Sequence, residues 1–444
     1  MVEPKSPAAS FWATHRLTSV FSGVRLLCLL MSFHPSLCLS GERKMVSTIL
    51  SDWSAGVGLA LSYNLGYDIN DSDMPLFNQN KLGITWDQLL AEKYFVHLDI
   101  EGTYDYSSKN SDSDSSRELF NAASEIEEFY VQTNYGSLSI KAGKQVVVWG
   151  KADFAVVTDV ISPRDFSGPL FSEDDISRMG QTMLTLNYYT ESSQLSLTLN
   201  PDAKANRFPY LSSAGSGYAG NVLKSSNIDK RQPDASFSDM EVGVRWNATV
   251  GDWDYAVVAA EVFENNPAVT LLDTGQTEVV FSRFQMLGGG FNLKTDNLLW
   301  KGEVAYKKNR LFNSENFAEP TKHDTIDMAI GMDYNPSAYT LTVELANHYI
   351  DNWSDEVLGY ERNNSLIFAR VRKPLFHDTV FLQYTASYEF QSNTKIHQIK
   401  YIHDLNNQMS LGFQSKFSES EKEDEVMDFL NSGDIFSANF EVKF

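Results

Sequence analysis

Ionisable side chains gather in one stretch of this 444-residue chain: Lys144, Asp153, Asp159, Arg164, Asp165 and Arg178, with Trp149 among them. Mixed charges at this density do one of two kinds of chemistry. Lining a narrow passage, they select by charge what passes. Folded away from water, they must pair, because a desolvated charge without a partner is costly. Both uses need a confined space, and the rest of the chain has to supply it.

Other reactive residue types do not converge. His97, His348, His397 and His403 fall on separate segments, and no serine beside them forms a hydrolase motif. No catalytic residue and no cofactor or metal site is therefore expected. Asp68, Asn70, Asp71 and Asp73 form one oxygen-rich cluster, Asp112 and Asp114 a second, and Glu419, Glu421, Glu423, Asp424 and Glu425 a third. None has the register or turn glycine of an EF-hand calcium loop, so they read as a solvated acidic surface.

Aromatic residues make up 13 % of the chain, yet its net charge is −22 and its mean hydropathy −0.29. A sequence rich in rings but polar on average must alternate the two kinds finely, as a strand with one apolar and one wet face does. The acidic balance makes nucleic acid an unsuitable partner.

Residues 1–40 read as a secretory signal peptide, which leaves 41–444 as the folded unit. Lys5, Arg16 and Arg25 form a basic region, Leu26 to Phe33 a short apolar core, and Cys38 and Ser40 the small residues before a cut at Gly41. Both cysteines, Cys28 and Cys38, lie in that segment. A thiol-free remainder suits an oxidising periplasm. No later window has the roughly 18 successive apolar residues of a transmembrane helix, so a membrane crossing requires a closed barrel.

From residue 55 onward, segment after segment alternates with period two. Val57, Leu59, Leu61, Tyr63 and Leu65 share a face; Tyr94, Val96, Leu98 and Ile100 oppose His97, Asp99, Glu101 and Asp105; Ile326, Met328, Ile330 and Met332 share another. Many runs reach the roughly 9–11 residues that cross a bilayer, longer than the roughly 5–6 of an average strand. Breaks largely take turns between tight and long. Tight ones fall near Gly136, Ser192, Asp252, Asp296, Pro336, Phe376 and Asn406; long ones span 67–79, 107–123, 150–180, 201–238, 265–278, 310–323, 350–363 and 419–434. Near Gln391 to Thr394 a long break is due and a very short one stands. The predicted fold is all-β: a transmembrane antiparallel up-and-down barrel of about 16–18 strands with an inward-folded loop. At the carboxyl end Phe436, Ala438, Phe440, Val442 and Phe444 alternate with polar residues. This resembles the end-signal read by the barrel-assembly machinery of outer membranes, with Phe440 and Phe444 its aromatic positions.

Gln145 to Trp149 is apolar on both faces, which predicts a strand covered on its inner side as well. The connection that follows is long and mixes Phe154, Val156, Val157, Val160 and Ile161 with charges. A solvated loop has little use for those apolar residues, so 150–180 is predicted to fold into the lumen.

GKQ, then WG, then AD and TDVISPRD, with Arg178 beyond, resembles a family of proteobacterial outer-membrane barrels known only as a domain of unknown function. EVGVRWN and DWDYAVVAAEVFEN, over 239–264, resemble its next hairpin. Lys144 departs from the arginine more usual there and keeps the charge. The family's genes often sit near envelope lipid-trafficking proteins and large proton-driven exporters. The resemblance therefore implies movement of hydrophobic or lipidic material, with an inner-membrane exporter or a periplasmic lipid-transfer protein as partner. It supplies neither a substrate nor catalytic residues.

These readings predict a porin-like channel in the outer membrane of a Gram-negative bacterium, for small organic or amphipathic solutes. Outer-membrane lipid and lipopolysaccharide would surround it, the latter meeting the acidic loops through divalent ions. Asp99, Glu101, Asp105, Glu303, Asp327 and Glu344 are expected to line the lumen and disfavour anions. The alternatives are a plugged barrel serving an export system or a structural role, and a barrel lipase using His97 and His348, which otherwise read as solvated lumen histidines.

Overall fold

The computed structural model describes residues 56–70, 75–106, 122–166, 177–207, 233, 238–272, 277–317, 319–420 and 434–444. The expected signal peptide, both cysteines, Asp71, Asp73, Asp112, Asp114 and Glu421 to Glu425 lie outside them. Twenty-two strands follow one another. They are β1 (Val57–Asp68), β2 (Pro75–Leu90), β3 (Tyr94–Asp105), β4 (Ala122–Tyr135), β5 (Leu138–Gln145), β6 (Arg164–Asp165), β7 (Ser177–Arg178), β8 (Gln181–Tyr189), β9 (Ser193–Asn200), β10 (Glu241–Val250) and β11 (Trp253–Phe263). Then come β12 (Ala268–Leu271), β13 (Thr277–Val280), β14 (Arg283–Thr295), β15 (Leu298–Phe312), β16 (Thr321–Tyr334), β17 (Thr340–Ile350), β18 (Asn363–Leu375), β19 (Val380–Glu389), β20 (Thr394–Asp404), β21 (Met409–Glu419) and β22 (Ile435–Lys443).

Eighteen of these form one sheet. Each strand pairs antiparallel with the next in sequence, except that β5 passes over β6 and β7 to β8, and β11 passes over β12 and β13 to β14. The ring closes where β1 pairs with β22, from Ala60 opposite Lys443 to Asp68 opposite Ile435. Closure leaves no sheet edge to be satisfied by lipid. The two small hairpins, β6–β7 and β12–β13, lie outside the ring.

Alternation decides which face points where. Along β16, Ile326, Met328 and Ile330 are exposed while Thr325, Asp327 and Ala329 are buried; β1 exposes Val57, Leu59, Leu61 and Tyr63. The outer face is apolar and the inner face largely polar, the reverse of a protein that buries its oil away from water. Only a hydrocarbon surround makes that arrangement favourable. Tight turns at 136–137, 251–252 and 296–297 mark one end, as the spacing predicted, and the abrupt connection at 390–393 is present, with Asn393 at φ 52°. Two boundaries differ. Pairing of β1 with β2 runs up to Tyr67 opposite Pro75, so the expected 67–79 loop shrinks to 69–74. A further tight turn, 91–93, has Ala91 and Glu92 at positive φ and no glycine to announce it.

Candidate functional site: an inward loop seated on the wall

β5 stops at Gln145, so Val146 to Trp149 is not the doubly covered strand that its apolar run predicts. A change of direction accounts for it. Gly143, at φ 130°, approaches β4 so closely that a Cβ there would stand 2.3 Å from the Phe129 carbonyl. The Val146 amide then leaves the ladder and donates to the Glu128 carboxylate at 2.7 Å. From there the chain turns inward. Trp149, Val157, Val160 and Ile161 bury against inward-facing Met183, Val258, Ala260, Val262, Phe284, Met286, Ala305 and Ala329 of β8, β11 and β14 to β16. This apolar core lies between loop and wall, on one side of the barrel.

The wall is shaped for the loop. A Cβ on Gly243 of β10 would stand 2.3 Å from the Trp149 ring, one on Gly288 of β14 3.1 Å from Thr158, and one on Gly290 3.5 Å from Lys151. At these three positions the wall presents a glycine to the loop.

Two wall carboxylates hold the loop's backbone. Glu303 of β15 accepts the amides of Lys151, Ala152 at 3.0 Å and Thr158 at 3.2 Å, and the Thr158 hydroxyl at 3.1 Å. Glu344 of β17 accepts those of Asp153, Phe154 and Ala155 at 2.8, 3.2 and 2.9 Å. Loop amides that have left all secondary structure thus find charged acceptors, as buried amides must. The reading of Glu303 and Glu344 as open lumen lining is corrected: they face inward, but the loop covers them. Asp327 is likewise enclosed, by Lys307 at 2.5 Å and by His348.

The predicted charges do not form one ring. Asp159, 3 % exposed, takes Arg178 at 2.6 Å and Arg164 at 3.4 Å. Asp165 pairs with Arg207 at 2.7 Å; Arg207 reaches Glu125 at 2.6 Å, and Glu125 also holds Lys144 at 3.2 Å. Lys144 follows Ile140 and Ala142 on the outer strand face and bends back to this carboxylate and to the Ile126 carbonyl. Asp153 pairs with Lys301 of β15, which also reaches Asp333 at 3.0 Å, and lies 3.9 Å from Arg370 of β18. Trp149 is buried, not part of a lining. Asp99, Glu101 and Asp105 of β3 stay on the inner face, half-buried; Lys81 joins Glu101 at 2.8 Å and Gln79 joins Asp105 at 2.9 Å.

His97 and His348 are half-buried and partnered. His97 stands 2.7 Å from Asp87 and stacks on Tyr130, and His348 bonds Asp327. Among the described residues no group of acidic, histidine or cysteine side chains is placed to hold a metal ion. Phe440 lies opposite Tyr63 and Leu411 on the outer face, and the Phe444 amide donates to the Leu59 carbonyl at 2.8 Å where the ring closes.

The sequence reading missed Glu303 and Glu344 as anchors and Gly243 and Gly288 as seats. One signal was visible. AVVAAEV in β11 is apolar on both faces, and LGGGF in β14 removes three successive side chains, which is how a wall covered on both sides is written.

A closed, lipid-facing barrel with a loop folded inside against its wall defines the porin class of fold. The chain belongs to the family described as a protein of unknown function, DUF1302, whose profile matches residues 50–422. No curated protein matches the sequence. Among solved structures, the chain is similar to Acinetobacter baumannii OccAB2, with 8 % identity, TM-score 0.52, and 88 % of this chain and 97 % of that chain covered. It is also similar to Pseudomonas aeruginosa OccK2 (OpdF), crystallised with glucuronate, with 8 % identity, TM-score 0.51 and coverage of 88 % and 97 %. A third, Pseudomonas aeruginosa OpdK with vanillate, shares 6 % identity at TM-score 0.51, covering 87 % and 97 %. At such identities the likeness is one of fold.

Proposed function

We infer that this protein is a porin-like channel of the bacterial outer membrane, narrowed by its inward loop, that passes small organic or amphipathic solutes. One observation carries the reading. The loop is fixed to one arc of the wall, β8 to β17, through its apolar core, Glu303 and Glu344. A constriction must be rigid to select, and an eccentric one narrows a lumen without filling it. The similar barrels were crystallised with glucuronate and vanillate, small organic acids, which supports this solute class.

Purified protein in planar bilayers should give discrete conductance steps; a silent membrane overturns the channel. Deleting residues 151–178 separates constriction from plug. Altered selectivity with a modest change in current supports the constriction, whereas a large new conductance supports a plugged barrel that serves an export partner. With the loop charges paired internally, Asp99 and Asp105 of β3 remain on the inner face to favour cations, Glu101 being paired with Lys81.

The outer-membrane setting brings lipopolysaccharide and the barrel-assembly machinery as partners, the latter reading Phe440 and Phe444. An inner-membrane exporter or periplasmic lipid-transfer protein fits the implied lipidic cargo, and co-purification from crosslinked envelopes tests it.

A further inference from the structure

Two cations beside the loop break the rule that the others obey. Lys144, Arg164, Arg178, Lys301, Lys307 and Arg310 each have a carboxylate within ion-pair distance. Among the described residues no ion pair involves Lys151 or Arg245, in a chain whose net charge is −22. Arg245, on the inner face of β10, donates only to neutral oxygens: the Asn247 amide oxygen at 2.8 Å and the Val148 carbonyl at 2.9 Å. That carbonyl lies three residues before Lys151, whose stem lies over Gly290 of β14. Asn247, Ala256 and Gly290 are successive register partners on β10, β11 and β14, so both cations address one row of the wall.

They also feel one another. Burial holds the Lys151 ammonium below the ordinary lysine range; Asp254 opposes that shift, Arg245 adds to it more weakly, and Glu303 opposes it, neither carboxylate pairing with the ammonium. Neither half-buried cation has a carboxylate within ion-pair distance among the described residues, which leaves both able to take an anion from outside the chain. Val148, between them in the loop, is 47 % exposed, an apolar surface inside a polar lumen.

We propose that Lys151 and Arg245 form an anion-binding subsite in the lumen, with Val148 beside it, that takes the head group of an amphipathic organic anion. Carboxylates and phosphate monoesters share the chemistry required: two or more acceptor oxygens on one charge and a hydrocarbon body attached. The subsite deepens the channel reading and rests on it for its role in passage, but binding does not depend on conductance.

The test is calorimetric titration of the purified, detergent-solubilised full chain with hexanoate, hexyl phosphate, hexylammonium and inorganic phosphate. The variants Lys151→Gln, Arg245→Gln and the pair are titrated alongside, with heat-modifiable gel mobility confirming folded barrels. At least one hexyl anion should bind, and each single variant should weaken it about tenfold. Preference between hexanoate and hexyl phosphate identifies the head group. Equal binding by the native chain and the double variant overturns the proposal, as does hexylammonium binding as tightly as the anions. Inorganic phosphate matching hexyl phosphate overturns the amphiphilic part. Lys151→Arg retaining affinity with Lys151→Gln losing it supports a charge role over a packing role. If planar bilayers stay silent while anion binding is lost only in the variants, the channel reading falls and the subsite stands. Conductance without anion binding overturns the subsite and leaves the channel in place.

Discussion

Arg178 and Asp159 meet at 2.6 Å, and the other oxygen of the same carboxylate accepts the Trp149 amide at 3.0 Å. One buried acid therefore ties together both limbs of the inward loop, the descending one at Trp149 and the returning one at Arg178. Asp159→Asn keeps the size and removes the charge, leaving Arg164 and Arg178 without their shared partner. Loss of one side of a buried pair costs about 3 kcal/mol or more. The expected outcome is a loop cleaved by added protease while the barrel resists, read by mass spectrometry of the fragments.

Glu344→Gln and Glu303→Gln each replace a charged acceptor of three backbone amides with a neutral one. A charge-assisted hydrogen bond contributes about 1.5–3 kcal/mol, so each change should loosen the loop by at least that scale. Single-channel records should show larger current noise in either variant and a further increase in the double variant. Unchanged records in both would remove the wall carboxylates from the account of the constriction.

Gly243→Ala places a methyl group where the Trp149 ring now sits. Overpacking of this kind costs about 1–3 kcal/mol. Tryptophan emission should shift to longer wavelength as the ring leaves its dry site. Gly102→Ala, whose Cβ would meet no atom nearer than 3.9 Å, serves as the control and should leave emission unchanged.

Val304, 49 % exposed on the outer face of β15, looks into lipid if the barrel crosses a membrane. Val304→Lys should cost about 2–4 kcal/mol in refolding into vesicles. Asp99→Lys, on the inner face, should carry no such cost and should instead move the reversal potential toward anion preference. Equal effects from the two would contradict a lipid-facing exterior.

Much of the fold was legible because a barrel strand is a local object. Period-two alternation in β1, β3 and β16 specifies which side chains face outward, and the run lengths specify a membrane rather than a sandwich. The turn at 91–93 escaped because Ala91 and Glu92 adopt positive φ without the glycine that normally signals it. Lumen charges misled for a different reason. Glu303 and Glu344 have the inward register of Asp99 and Glu101, and nothing local distinguishes an acid facing water from one facing a loop more than a hundred residues away in sequence.

By itself, then, the sequence determined the class of fold, the inner and outer faces, and the stretch from Gly143 to Arg178 as the departure from them, since each depends on residues close in the chain. Only the tertiary structure decided what that stretch rests on and which charges it consumes. The contacts of Trp149 with Gly243, of Glu344 with Phe154, and of Arg245 with Val148 join segments that alternation leaves unrelated. Ion pairing depends on distance in space, so which of the cations beside the loop are neutralised is settled only when the ring closes around it.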